Sequence, residues 1–275
     1  MKLAVASGKG GTGKTTVAVN LALAIGEGVQ FLDCDVEGAN AHIFLRPKIE
    51  TIKEVGVPVP RIDADRCIAC GKCADACRFN ALVRIKKRIK VVPNLCHGCG
   101  ACHLVCPTDA VTMVTRRIGQ IRQGRAGGIA FACGELDIGE ALSVPIIRGL
   151  KALDGGYAHT IIDCPPGTSC PVVESVHGCD YCLMVTEPTP FGLHDLRLMA
   201  RVLENIKVPA GIVINRAQEP YRPLEAYCQE SGIPVLMRIP FDRRIAELYS
   251  RGDTLVEHMP GFKQKMLELF REVEG

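Results

Sequence analysis

Eight of the fifteen cysteines stand in two runs that share one spacing, C-x2-C-x2-C-x3-C. The first run is Cys67, Cys70, Cys73 and Cys77, and the second is Cys96, Cys99, Cys102 and Cys106. Short loops of this kind bring three thiolates to one centre, so the spacing predicts cubane iron–sulfur clusters. Zinc is the alternative, but zinc sites usually show paired C-x2-C halves rather than triplets.

Together the two runs, with Pro107 after the second, resemble a bacterial two-cluster ferredoxin. In such a protein the fourth cysteine of each run binds the other cluster. The resemblance implies two [4Fe–4S] sites, one at Cys67, Cys70, Cys73 and Cys106 and the other at Cys77, Cys96, Cys99 and Cys102. Arg78 departs from the pattern, because it stands where the first run would carry proline. A cation there favours a reduced cluster, so we expect Arg78 to raise the potential of that site.

A second chemical motif opens the chain, where GKGGTGKT satisfies the phosphate-loop pattern G-x-x-x-x-G-K-[ST]. Glycines let backbone N–H groups point at phosphate oxygens, and the following helix adds its N-terminal dipole. Lys14 is expected to reach the β- and γ-phosphates, and Thr15 the Mg²⁺ ion. The residues predicted to bind ATP or ADP here are Gly8, Gly10, Gly11, Thr12, Gly13, Lys14, Thr15 and Thr16.

Lys9 places a second lysine inside this loop. The resulting K-G-G-x-G-K-[ST] resembles the MinD/Mrp/ParA and nitrogenase-iron-protein class of ATPases. In that family the extra lysine reaches across a dimer interface to the partner's nucleotide, and the resemblance assigns this catalytic role to Lys9. A cation on a transferring phosphoryl group stabilises the transition state. A solvated lysine is the alternative.

Two acidic motifs match the switches of the same family. DCDVEGAN begins at Asp33, and the resemblance makes Asp35 the carboxylate that orients water, with Asp33 or Asn40 beside it. DCPPGT begins at Asp163, which would hold the Mg²⁺ shell, while Gly167 would sense the γ-phosphate. A carboxylate at a strand end can also simply cap a helix.

Two later stretches resemble the family's base-recognition loops. Asn215 and Arg216 end the sequence VINR, where the asparagine would contact adenine. Pro240 lies in IPFD, which resembles the second loop on the base side.

These motifs need a scaffold, and short β-branched runs alternate with helix-length segments along most of the chain. The alternation predicts an α/β fold of the P-loop NTPase type, a mainly parallel sheet with helices on both faces. Predicted strands are Lys2–Ser7, Val29–Asp33, His159–Asp163, Tyr181–Thr186, Ala210–Asn215 and Val235–Ile239. Predicted helices are Lys14–Ile25, Leu193–Ile206, Pro223–Ser231 and Arg243–Ser250.

The cysteine runs interrupt this alternation. Residues 61–115 are therefore interpreted as an inserted α+β ferredoxin-like domain, and residues 1–60 and 116–275 as the ATPase domain. The basic sequence RIKKRIK, from Arg84 to Lys90, predicts a hairpin between the two cysteine runs. Its cations form either a solvated face or a docking patch for an acidic electron carrier.

Seven cysteines lie outside the insertion, and most are expected to be buried small hydrophobes. Cys133 and Cys170 resemble in position the two cysteines that hold one cluster across the dimer axis of nitrogenase iron proteins. They are a possible third cluster site between subunits. Cys179 and Cys182 resemble an Mrp-type carrier pair, although Cys182 begins a core strand.

The bulk composition narrows the function classes. A net charge of +3 gives no general basic excess of the kind that binds nucleic acid. The absence of tryptophan argues against an aromatic surface on which single-stranded bases stack. We find neither a signal peptide nor an apolar run of membrane-spanning length, so the sequence predicts a cytoplasmic protein. In that compartment cysteines are expected to bind metal rather than to form disulfides.

The leading hypothesis is an ATP-hydrolysing iron–sulfur protein that works as a homodimer or as a heterodimer with a paralogue. Hydrolysis would gate electron transfer to a redox partner or the handling of a metal cluster for a client protein. The alternative is a MinD-like positioning or scaffold ATPase in cell division, with a regulatory ferredoxin module. For that alternative the tail FKQKMLELFREV, Phe262–Val273, would bind membrane; we expect it instead to pack on the ATPase body.

Overall fold

The computed structural model describes residues 1–153 and 155–275. The chain divides into two compact units. The first unit comprises residues 1–53, 121–135 and 146–275, and the second comprises residues 54–120 and 136–145. The second unit contains the whole of the predicted insertion, 61–115, and extends beyond it on both sides.

Eleven strands form within the described residues. They are β1 (Lys2–Ala6), β2 (Val29–Asp33), β3 (Lys48–Ile62), β4 (Leu82–Ile85), β5 (Arg88–Val91), β6 (Val111–Ala126), β7 (Ile129–Leu136), β8 (His159–Asp163), β9 (Tyr181–Thr186), β10 (Ala210–Ala217) and β11 (Val235–Pro240).

Helices of the described chain lie between these strands and after the last one, together with one 3₁₀ turn at Pro93–Leu95. They are α1 (Lys14–Ile25), α2 (Ala41–Leu45), α3 (Lys72–Asp75), α4 (Ala101–Leu104), α5 (Val144–Lys151), α6 (Cys170–Val176), α7 (Pro190–Ile206), α8 (Arg222–Ser231), α9 (Arg243–Arg251), α10 (Leu255–His258) and α11 (Phe262–Glu274).

Nine strands form one sheet in the order β11-β10-β9-β1-β8-β2-β7-β6-β3. The pairs from β11 to β7 are parallel, with Val5 opposite Asp163 and Asp33 opposite Asp163 on neighbouring strands. Parallel strands end at one edge of the sheet, so the loops after β1, β2 and β8 meet there. This is the mainly parallel α/β sheet that the alternating pattern predicted.

The predicted bounds of α1, β2, β8 and β9 agree with the structure to the residue, whereas β3 and β7 are additions. For residues 117–128 the sequence predicts a return linker with a further strand or turn, and the structure has the second half of β6 and a turn there. β3 carries charged residues along its exposed first half and contains Pro58 and Pro60 in its second half, and both features argue against a strand at the level of sequence. β6 and β7 are joined by a two-residue turn whose first residue, Gly127, has φ of 57°. They are therefore antiparallel at this end of the sheet.

The core of the first unit lies around α1, which is buried on several sides because its inner residues are almost all apolar or small. Helix α11 packs in the same cluster. Its apolar stripe is buried at Phe262, Met266, Leu269, Phe270 and Val273. Each such side chain contributes about 1.5–3 kcal/mol on burial, and the prediction that this tail packs on the body is confirmed.

In the second unit, β4 and β5 pair antiparallel with Leu82 opposite Val91 and Ile85 opposite Arg88. The predicted hairpin is confirmed. Its cations are all exposed: Arg84, Lys86, Lys87, Arg88 and Lys90.

Candidate functional site

The phosphate loop joins β1 to α1, and its backbone requires glycine at several positions. Gly11 and Gly13 have φ of 78° and 97°, in the left-handed region that side chains disfavour. A Cβ on Gly8 would lie 2.5 Å from the carbonyl oxygen of Asp195. Close packing and positive φ thus both explain why this loop is built from glycine.

The loop lines a cavity of about 340 Å³, which is the size of a small-molecule site. Lys14 and Thr15 begin α1, where free N–H groups and the helix dipole favour phosphate. Among the predicted nucleotide residues, those in the lining are Gly10, Gly11, Gly13, Lys14, Thr15, Thr16, Asp35, Asn215, Arg216 and Pro240. Of the described residues, the lining does not include Gly8, Lys9, Thr12, Asp163 or Gly167.

The same cavity has an apolar part, which is lined by Phe241, Ile245, Ala246 and Tyr249. Phe241 lies in the base-side loop IPFD that the sequence predicts, whereas sequence reasoning missed the three residues on α9. The Tyr249 ring lies 4.9 Å from that of Phe44, centroid to centroid. Apolar walls of this kind suit a flat heterocycle. The residues on α9 are separated from the phosphate loop by most of the chain, so no local motif reports them.

Asp33 organises the loop after β2. Its carboxylate accepts hydrogen bonds from the backbone N–H groups of Asp35 (3.2 Å), Asn40 (3.1 Å) and Ala41 (3.0 Å). Complete burial, with the nearby charge of Asp35, raises its pKa to about 7, although the N–H donors lower it. The structure thus makes Asp33 a brace of the loop that carries Asp35.

Asp163 ends β8 and is completely buried. Neither of its carboxylate oxygens has a hydrogen-bond partner among the described residues. Burial and the neighbouring Asp33 raise its pKa well above the ordinary value, and the nearby positive charge of Lys14 opposes that rise. A buried carboxylate without a partner needs a cation or an ordered water, so the residues here fit a Mg²⁺ shell.

Asn215 links the end of β10 to the phosphate loop. Its Nδ2 donates to the Thr12 carbonyl at 2.8 Å, and its Oδ1 accepts from the Arg216 N–H at 2.9 Å. The same Nδ2 lies 2.3 Å from where a Cβ on Gly13 would stand. Asn215 therefore contacts the loop itself, in addition to facing the cavity.

Glu187 is a further residue that sequence reasoning did not identify. It follows β9, and one carboxylate oxygen accepts from Lys9 Nζ at 3.2 Å while the other accepts from Arg216 Nη1 at 2.7 Å. The Glu187 side chain is only 10% exposed. Lys9 is thus ion-paired within its own chain.

In the second unit, the eight cysteines surround two small cavities. One is lined by Cys67, Cys70, Cys73 and Cys106, and the other by Cys77, Cys96, Cys99 and Cys102. Each cavity therefore brings together three cysteines of one run and the last cysteine of the other. These are the two sets that the resemblance to ferredoxin implies.

The two runs repeat in backbone detail as well as in sequence. Gly71 and Gly100, each just before a one-turn helix, have φ of 93° and 75°. The last cysteine of each run accepts a backbone hydrogen bond four residues on, Cys77 from Ala81 at 3.3 Å and Cys106 from Ala110 at 3.2 Å. Such N–H donors favour thiolate and tune the potential of a bound cluster.

Within residues 1–153 and 155–275, no three His, Cys, Asp or Glu side chains are grouped so that they could hold one metal ion. A cubane makes a different demand, because each of its four irons takes one cysteine. Four cysteines around a cavity, with N–H groups donating to sulfur, fit that demand.

Four cysteines outside the cavities do not support the roles considered for them. Cys133 is completely buried in the core of the first unit, whereas Cys170 is exposed at the start of α6. A buried thiol cannot bind a cluster shared across a surface, so the Cys133/Cys170 interpretation is not retained. Cys179 and Cys182 are both buried, and burial raises the pKa of each thiol, to about 11 for Cys179. That does not suit an exposed carrier pair.

Strand–loop–helix geometry, the cavity and the buried carboxylate define the first unit as a P-loop nucleotide-binding fold. The sequence matches the CobQ/CobB/MinD/ParA nucleotide-binding domain over residues 3–256, and the chain belongs to this family of P-loop ATPases. Two uncharacterised proteins of Methanocaldococcus jannaschii are similar to the chain. One is 32% identical and covers 100% of this chain and 96% of the relative; the other is 30% identical and covers 94% and 92%.

Among solved structures, the septum site-determining protein MinD from Pyrococcus horikoshii, complexed with Mg-ADP, has the same fold. Its TM-score is 0.61 at 22% identity, covering 100% of this chain and 96% of MinD. In the described part of the chain, no helix has both the length and the apolar character that crossing a membrane requires.

Proposed function

We propose that this chain is an ATP-hydrolysing member of its family that also carries two [4Fe–4S] clusters in its second unit. ATP and Mg²⁺ would bind at the phosphate loop, with Lys14 and Thr15 on the phosphates and the metal. Asp35 would orient the attacking water, and Asp163 would hold the Mg²⁺ shell. The clusters would supply one-electron chemistry.

The observation that carries the redox part of the proposal is the crossed grouping of the cysteines. A pattern of buried structural thiols would not divide eight cysteines into two cavities of four, each taking its last member from the other run. Burial raises the pKa of the Cys73 thiol, and the charges of Cys67 and Cys106 raise it further, as expected for sulfurs that lie near one another. Bound iron would offset the repulsion between neighbouring thiolates with its positive charge and so keep these sulfurs deprotonated.

The proposal is tested by iron and sulfide analysis of anaerobically purified protein, with electron paramagnetic resonance after reduction. We expect about eight irons per chain. Cys106→Ser is expected to perturb the cluster of Cys67, Cys70 and Cys73, and Cys77→Ser the other one. The matched control is Cys170→Ser, which removes an exposed thiol outside the cavities. Protein without cubane signals, or equal iron loss in the control, contradicts the proposal.

Two chains would pair around nucleotide, as a homodimer or as a heterodimer with a paralogue, and Lys9 would reach the partner's nucleotide. Pairing would then gate electron transfer to a redox partner or a cluster client. Sedimentation velocity with ATP, ADP and no nucleotide tests the pairing. Equal association in all three conditions contradicts it.

A second candidate is a MinD-like positioning or scaffold ATPase. The similarity to a septum site-determining protein over the full chain supports this candidate more directly than the redox proposal. The apolar stripe of α11 is buried in the first unit, however, and is not presented for membrane binding. Co-sedimentation with anionic liposomes distinguishes the candidates, because a positioning ATPase of this kind is expected to bind them only with ATP.

A further inference from the structure

Three side chains form an ion cluster beside the nucleotide cavity. Glu187 lies between Lys9 and Arg216, with one carboxylate oxygen on each cation. The glutamate side chain is 10% exposed, whereas those of Lys9 and Arg216 are 33% and 56% exposed. A carboxylate so buried requires countercharge, and two cations supply it here.

We propose that Glu187 is a positioning residue that anchors Lys9 within its own chain, and that Lys9 leaves this anchor when two subunits pair around nucleotide. The inference deepens the proposed function and rests on it, because the proposed pairing is what brings the partner's nucleotide to Lys9. Nucleotide phosphate would then compete with the Glu187 carboxylate for the same ammonium group.

The structure indicates which cation leaves. Arg216 is the closer partner, at 2.7 Å against 3.2 Å, and its backbone N–H is held by Asn215. Lys9 ends in a compact charge on a flexible stem, which reorients more easily than a guanidinium. Its carbonyl accepts from Ser7 Oγ at 2.6 Å, so its backbone is held while the side chain can move.

The second cation also makes the exchange feasible. A buried carboxylate that loses its only partner is strongly destabilised. After Lys9 departs, Glu187 retains Arg216 and remains neutralised. The arrangement thus opposes release of Lys9 without preventing it, so association is expected to depend on how much negative charge the nucleotide offers. ATP, with its γ-phosphate, competes better than ADP.

The first test needs neither pairing nor hydrolysis. Nucleotide-free protein is treated with a limiting amine-reactive ester, and modification of Lys9 is followed by peptide mass spectrometry relative to the exposed Lys263. We expect Lys9 to react several-fold faster in Glu187→Gln, which loses the charge but keeps the size of the side chain. Glu225→Gln is the matched control, since Glu225 pairs with Arg238 away from the cavity. Equal rates in the wild type and Glu187→Gln overturn the anchor.

The second test measures self-association of the full chain with ATP and with ADP. Glu187→Gln is expected to strengthen association with ADP, whose smaller negative charge competes less well for Lys9, and so to reduce the difference between ATP and ADP at least threefold. In a Lys9→Ala background the substitution should then change nothing further. An effect that persists without Lys9, or equal weakening with ATP and with ADP, assigns Glu187 a merely structural role and overturns the proposal.

The two tests separate failure of the inference from failure of the proposed function. A wild-type chain that ignores ATP in sedimentation contradicts nucleotide-dependent pairing and with it the release step. The labelling rates still decide whether Glu187 holds Lys9.

Discussion

The two units of this chain hold their candidate ligands by different physical means. The first unit has a large hydrocarbon core with stacked Phe31 and Phe131 rings, and its phosphate loop uses backbone groups fixed by a parallel sheet. In the second unit, the buried apolar side chains larger than alanine among its described residues are only Val57, Val59, Pro60, Leu82, Val111, Ile118 and three cysteines, Cys73, Cys96 and Cys102. Small units with so little core usually depend on metals or cross-links.

This difference explains why the first unit is identified by its fold and the second by the spacing of its cysteines. A nucleotide site needs loops from several distant strands, so the entire sheet carries the family resemblance. A cubane needs only short loops around sulfur, and the surrounding structure can be slight. The same difference predicts that loss of ligand affects the two units unequally.

The largest effect is expected from removing the iron that we propose the second unit holds. Anaerobic treatment with a strong iron chelator should unfold the second unit, because the cysteine cavities replace much of its core. Limited proteolysis is expected to cut within residues 54–120 while the first unit stays protected. Binding of a fluorescent ADP analogue to the same sample serves as the control. Protection of both units after complete loss of iron would show that the second unit folds without metal.

Lys14→Ala tests whether nucleotide binding can be lost while the proposed clusters stay in place. Loss of a buried cation from a phosphate site costs about 3 kcal/mol, which is roughly 100-fold in nucleotide affinity. Calorimetry with ATP and ADP measures this loss. Lys263→Ala, an exposed lysine of α11, is the matched control. Iron content should be unchanged in both variants, and a lower iron content in Lys14→Ala would contradict independent ligand binding by the two units.

Sequence reasoning succeeded where the signal is local. The glycines of the phosphate loop, the bounds of α1 and β2, and the grouping of Cys67, Cys70 and Cys73 all follow from spacing within a few residues. It failed where the partners are distant. Glu187 and Lys9 are 178 positions apart, and nothing around Glu187 marks it as the partner of a phosphate-loop lysine. β3 was missed because charged residues and prolines hide a strand whose pairing comes from β6.

Gly13→Ala probes how rigidly the sheet fixes the phosphate loop. The φ of 97° and the contact with Asn215 Nδ2 both oppose a side chain, so we expect the apoprotein to lose about 2 kcal/mol of unfolding free energy. Gly10→Ala is the control for stability, because among the described residues no atom lies within 4 Å of its added Cβ. Denaturant unfolding of the nucleotide-free protein measures both. Equal losses would mean that the loop adapts.

The acidic cluster of the first unit predicts a pH dependence. Burial, with the nearby charge of Asp35, raises the pKa of Asp33 from 3.8 in the unfolded chain to about 7. Its contribution to stability is therefore complete below pH 3.8 and is lost as the pH rises through about 7. Between pH 6 and pH 8 the apoprotein should lose roughly 1 kcal/mol, and Mg-ATP should reduce this loss by stabilising nearby carboxylates. Denaturant unfolding between pH 6 and pH 8 measures this loss in the wild type and in Asp33→Asn. The free energy of unfolding should depend less steeply on pH in the variant, and an equally steep dependence would assign the effect to another group.

The smallest effect is expected in the second unit, where the two runs differ at the residue after their last cysteine. Arg78 follows Cys77, whereas Pro107 follows Cys106. Arg78 is exposed, so solvent screens its charge and the potential of the proposed cluster at Cys77 should fall by only on the order of 10 mV in Arg78→Gln. Arg78→Lys keeps the charge and should keep the potential, which separates electrostatics from packing. Anaerobic redox titration followed by electron paramagnetic resonance measures the shift. A fall of the same size in both variants would mean that the side chain acts through its packing, and that charge at this position does not distinguish the two clusters.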